Sequence, residues 1–167
     1  MKKYFILIFI FLLACGNSDE EGSVDEDSAI IISESSTQCE VWVAETQENA
    51  QTMIKLLDDL YDYSEQYDDG LLSEVIYIEA LGVYYERTQE MLLTQASSAV
   101  SLLTLDEIND QPSVNFFENA IEFTLMSFDG LYLANINDDS SYFEEGANWI
   151  LKAKDEFNKT ISYLNNC

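Results

Sequence analysis

Histidine is absent from all 167 residues, and that one absence closes several chemical routes. It removes His-ligated zinc, Ser-His-Asp and Cys-His nucleophilic catalysis, and the Glu-x-x-His ligand pairs of di-iron bundles. Basic residues are scarce, with 7 Lys and Arg against 32 Asp and Glu. A nucleic-acid binder must neutralise phosphates and a peripheral membrane grip must meet anionic lipid, so no nucleic-acid partner is expected and neither is that grip. Proline occurs once, at Pro112, and there is no Gly-rich phosphate loop or Cys-x-x-Cys-His haem motif. No apolar run reaches the roughly 20 residues that span a bilayer comfortably.

What is present points to a folded domain. A hydrophobic fraction of 47%, with 13% aromatic, is far above that of disordered chains, and the length leaves room for one domain with a sizeable core. The negative field favours cationic partners or divalent ions; a merely solvated acidic surface is the alternative.

Residues 1–14 have the build of a secretory signal: Lys2 and Lys3, an apolar run from Tyr4 to Leu13, and the small Ala14 before Cys15. Leu12-Leu13-Ala14-Cys15 resembles the lipobox of bacterial lipoproteins. The resemblance implies cleavage before Cys15, lipidation of Cys15, and stable anchoring, since more than one acyl chain holds where a single chain is marginal. Ser18, Asp19, Glu20 and Glu21 resemble the lipoprotein export signal of Bacteroidota, and Gly16, rather than Asp, after Cys15 resembles outer-membrane sorting. Together they imply lipid anchoring in the cell outer membrane, facing either the surface or the periplasm. Asp27-Ser28-Ala29 further resembles the O-glycosylation acceptor of the same phylum. Without Lys2 and Lys3 the chain carries five basic and 32 acidic residues, a net charge of −27. Residues 15–36 read as the lipidated cysteine and a flexible acidic tether, with Ala29-Ile30-Ile31-Ile32 expected to dock on the folded domain.

Residues 37–167 read as four helices, at about 37–68, 73–105, 112–134 and 141–166. Val43, Thr46, Ala50, Met53, Leu57, Leu60, Ser64 and Tyr67 alternate in steps of three and four, the seam of a bundle helix. Asp68-Asp69-Gly70 supplies the turn that ends it. Ser73 is the expected N-cap of the second helix, whose seam is Val75, Ile78, Gly82, Tyr85, Gln89, Leu92, Ala96, Ala99 and Leu103; Gly82, Ala96 and Ala99 should let a neighbour come close. Pro112 suits the first turn of the third helix, with Val114, Phe117, Ile121, Thr124, Phe128 and Leu131 inward. Gly130 either ends that helix or marks a close contact. Ser141 and Glu144 form a capping box for the fourth, which turns Phe143, Ala147, Ile150, Phe157, Ile161 and Leu164 inward, with Lys154 as a polar break. The fold class is therefore all-α, an antiparallel up-down-up-down four-helix bundle.

With Cys15 taken by lipid, Cys39 and Cys167 remain, one opening the first helix and one closing the fourth. From Cys39 to Tyr67 and from Ser141 to Cys167 the helices run about 42 and 39 Å at 1.5 Å per residue, which in an up-down-up-down bundle puts both cysteines at one pole, and a disulfide between them is expected. The opposite pole then gathers tyrosines, among them Tyr61, Tyr63, Tyr67, Tyr77, Tyr132 and Tyr142, either as a contact tip or as core with hydroxyls reaching water. Asp68, Asp69, Asp138 and Asp139 at the same end could hold a divalent cation. Glu118 and Glu122 could in principle act as acid and base, but spaced by four they are more often a solvated face. The expected function is a non-enzymatic interaction module of the cell envelope, without a cofactor, that binds a protein or envelope component, a basic one being favoured by the negative field. The alternatives are an inhibitor or immunity-type lipoprotein that blocks a toxin or hydrolase, and a metal- or small-molecule-binding bundle.

Overall fold

A computed structural model describes residues 28–137 and 140–164, and every regular element among them is an α-helix. In chain order these are α1 (Ser28–Asp68), α2 (Glu74–Leu102), the short α3 (Leu105–Asp110), α4 (Pro112–Asn137) and α5 (Ser140–Ser162). α1 packs on α2 and α5, α4 packs on the same two, and the α4–α5 contact is the most extensive. The result is a bundle-like all-α fold. Across α1 and α2 the pairs are Ser64 with Tyr77, Thr46 with Gln95 and Glu45 with Ser98. Across α4 and α5, Phe117 meets Phe157, Phe123 meets Trp149 and Gly130 meets Gly146. In both pairs the numbers rise along one helix as they fall along the other.

The expected seam of α1 is the buried one: Thr46, Ala50, Met53, Leu57, Leu60 and Ser64 are all buried, with Val43 and Tyr67 half-buried at its ends. α4 behaves the same way, burying Phe117, Ile121, Thr124, Phe128 and Leu131. On α5, Ile150 and Phe157 lead, and the polar break Lys154 reaches Asp58 of α1 in an ion pair. Ser73 caps α2 as expected, with extended backbone and its hydroxyl accepting from the Ile76 amide at 3.5 Å. Gly70, at φ 71°, takes the left-handed conformation that ends α1, while the Leu71 amide reaches back to the Gln66 carbonyl at 2.8 Å.

Four expectations are corrected. α1 begins at Ser28 rather than near Thr37, so Ala29-Ile30-Ile31-Ile32 belongs to a helix rather than to a flexible tether; no glycine or proline interrupts the chain between Gly22 and Gly70. α2 stops at Leu102, and Leu103 leaves the helix to lie buried beside Cys39 and Trp42, which makes room for the fifth helix, α3. α5 spans Ser140–Ser162, so Ser141 lies inside the first turn and the helix ends short of residue 166. The largest correction is rotational. α2 buries Tyr77, Leu81, Tyr84, Thr88, Gln95 and Ser98, while Val75, Gly82, Tyr85 and Gln89 of the expected seam are exposed. A one-residue offset turns a helix by about 100°.

Candidate functional site

The tyrosines separate into two groups. Tyr77 is 1% exposed, stacks on Tyr67 at 4.3 Å between ring centroids, and its hydroxyl lies 3.1 Å from that of Ser64. Tyr67 in turn accepts a 2.7 Å hydrogen bond from Asn135 of α4. These two therefore tie α1, α2 and α4 together, and Tyr77 offers no surface to a partner. Burial pushes the Tyr77 hydroxyl up to about 12, against the Ser64 hydrogen bond, which pulls it down. Tyr63 and Tyr132 are exposed, Tyr61 and Tyr142 half-buried. The Tyr61 hydroxyl is raised chiefly by its hydrogen bond to the neighbouring Glu65 carboxylate.

Asp68 and Asp69 are exposed beside the Gly70 turn, while Asp138 and Asp139 lie outside the described residues. Among the described residues no group of three or more acids or cysteines is placed to hold a metal ion. Cys39 is buried with Trp42 and Leu103, and Leu164 packs on the same cluster. Cys167, Cys15, Ser18, Asp19, Glu20 and Glu21 lie outside the described residues. Glu118 is half-buried and Glu122 exposed; burial raises the Glu118 carboxyl.

Ala96 and Ala99 are half-buried, and Ala99 packs on the Cys39, Trp42 and Leu103 cluster. They line a cavity of about 60 Å³ with Trp42, Phe117, Ile108 and Glu118, enough for a few waters. α4 and α5 come close at Gly130, where an added Cβ would lie 2.9 Å from the Gly146 backbone.

The rotation of α2 creates what reading the sequence missed. Leu71, Val75, Ile76 and Val83 are 72, 67, 50 and 48% exposed, and Tyr132 and Ile136, on the last turns of α4, are 49 and 58% exposed. The 5.6 Å contact of Tyr85 with Phe128 joins the two helices beside them. These exposed side chains belong to the start of α2 and the end of α4, which share one end of the molecule, as Tyr67 meets both Tyr77 and Asn135 there. The surrounding charges are acidic, with Asp68, Asp69, Glu74, Glu79 and Glu86 exposed and no Lys or Arg between Lys55 and Arg87 or anywhere on α4. The available signal was the nearly continuous apolar run from Val75 to Tyr85, too rich for one buried stripe.

Against known proteins, no family model matches this chain, no curated protein matches it, and no solved structure matches it.

No helix among the described residues is long and apolar enough to cross a membrane.

Proposed function

We propose that this chain is a non-enzymatic interaction module, lipid-anchored through Cys15 in a bacterial outer membrane, that docks a protein or envelope component with a basic rim. The observation that carries the reading is the exposed apolar end around Val75, Ile76, Tyr132 and Ile136, ringed by acids. Exposed apolar clusters of this kind mark interaction surfaces, and an acidic rim selects a cationic partner while discouraging self-association. The lipobox and the acidic export motif supply the anchor and the outer-membrane address. The order of α1, α2, α4 and α5 is proposed as up-down-up-down, closed by a Cys39–Cys167 disulfide. Burial of Cys39 in a cluster shared with Leu164, three residues from Cys167, supports that closure.

The test is cross-linking on intact cells that express the full chain, comparing the native protein with a Val75→Lys, Ile136→Lys double variant. Both positions are exposed, so the variant should fold. A partner captured by the native chain and lost with the variant is the expected result; equal capture by both removes the reading. Protease shaving of the same cells reports which face of the membrane carries the domain.

A further inference from the structure

Cations are few in this protein, and most are already engaged. Of the five Lys and Arg among the described residues, the three on α5 have partners. Lys154 pairs with Asp58, Lys159 lies 2.7 Å from both Asp155 and Glu156, and the Lys152 ammonium sits 3.7 Å from the centre of the Trp149 ring. Lys55 on α1 and Arg87 on α2 make no ion pair among the described residues, in a chain with a net charge of −25. Both line the same groove, of about 480 Å³, between the two helices. Asp59 and Glu90 line it as well, and Met53 and Met91 supply apolar surface.

The groove therefore carries two charges of each sign over a thioether surface, at a volume within the usual range for small-molecule sites. A net anion would be repelled by the whole molecule at long range, and a simple cation would be drawn to any part of the acidic surface. A molecule with one charge of each sign and no net charge escapes the long-range penalty and gains from both pairs at short range. Arginine holds a carboxylate through two parallel N–H donors, with lysine as a second point charge, and flexible methionines accept varied apolar groups.

We propose that the α1–α2 groove binds a small zwitterion of the amino-acid class, its carboxylate between Lys55 and Arg87 and its ammonium against Asp59 and Glu90. This site uses none of the residues of the apolar end and does not depend on it. Isothermal titration of the full chain in detergent with L-leucine, L-serine and L-phenylalanine tests it. Saturable binding of at least one, in the millimolar range or tighter, is expected. Arg87→Gln and Lys55→Gln should each weaken it at least about tenfold, with Arg87→Lys retaining more affinity than Arg87→Gln. For a leucine response, 3-methylbutylamine and 4-methylpentanoate, each lacking one charge, should bind at least about tenfold more weakly. Circular dichroism checks that the variants keep their helices. No saturable heat from any of the three amino acids overturns the proposal, and so does binding that survives Arg87→Gln or that the amine alone reproduces.

Discussion

Gly82 and Gly130 look alike in the sequence, each inside a helix, yet substitution should have opposite effects. Nothing lies within 4 Å of a Cβ added at Gly82, and the residue is exposed. Gly82→Ala should stabilise by roughly 0.5 to 1 kcal/mol through helix propensity and reduced unfolded-state freedom. At Gly130 the new methyl would meet the Gly146 backbone at 2.9 Å, and Gly130→Ala should cost about 1 to 3 kcal/mol. Urea titrations of the two variants decide both signs. Tyr77 makes a second prediction, of pH dependence. Its hydroxyl is raised from 10.0 to about 12 in the folded state, so the stability it contributes is fully present below pH 10 and is lost as pH rises through 12. Tyr77→Phe should flatten that alkaline loss while costing about 1 kcal/mol at neutral pH, where the contact with Ser64 disappears. An unchanged alkaline slope in the variant would assign the loss to other groups.

At the scale of elements, α2 is the informative case. Its first half is apolar on nearly every side, so a three-four pattern can be drawn through Val75 and Ile78 or through Tyr77 and Leu81 with equal ease. The partner helix chooses between them. Ser64 and Tyr67 take Tyr77, while Gln95 donates to Thr46 at 2.6 Å and accepts from Asn49 at 2.7 Å. Val75→Lys alone should therefore change stability by no more than about 0.5 kcal/mol, whereas Leu81→Ala should cost about 2 to 5 kcal/mol. Gln95→Ala leaves Thr46 and Asn49 each short of a partner and should cost about 1 to 3 kcal/mol. Thermal melts of the three variants test the rotated face directly, since the alternative seam through Val75 reverses the order of the first two.

For the whole molecule, charge and closure set the expectations. A net charge of −25 repels itself, and salt screens that repulsion over about 8 Å at physiological ionic strength. The melting temperature should rise from low salt to about 0.15 M sodium chloride, and a flat response would show that local pairs such as Lys154 with Asp58 already offset the repulsion. The proposed Cys39–Cys167 bridge closes a loop of about 130 residues, for which the chain-entropy model gives an upper figure of about 5 kcal/mol. Reduction should lower the melting temperature, and thiol labelling of the unreduced chain should leave both cysteines unmodified.

The sequence by itself determined the helical class, the buried faces of α1 and α4, the Ser73 cap, the Gly70 stop and the opening of α4 at Pro112. In each case the signal is local: an apolar stripe backed by a polar opposite face, or a residue whose backbone preference suits one position. It also determined, through the absence of histidine, which chemistries are closed. The tertiary structure alone decided which side of α2 turns inward, because that side has no polar flank and the choice belongs to Ser64, Tyr67 and Thr46 on another helix. It decided that Gly130, and not Gly82, is the close contact, that Tyr67 and Tyr77 are internal ties, and that Lys55 and Arg87, 32 residues apart, share one groove. Spacing along a helix encodes its own faces; which faces meet is set by packing between distant segments.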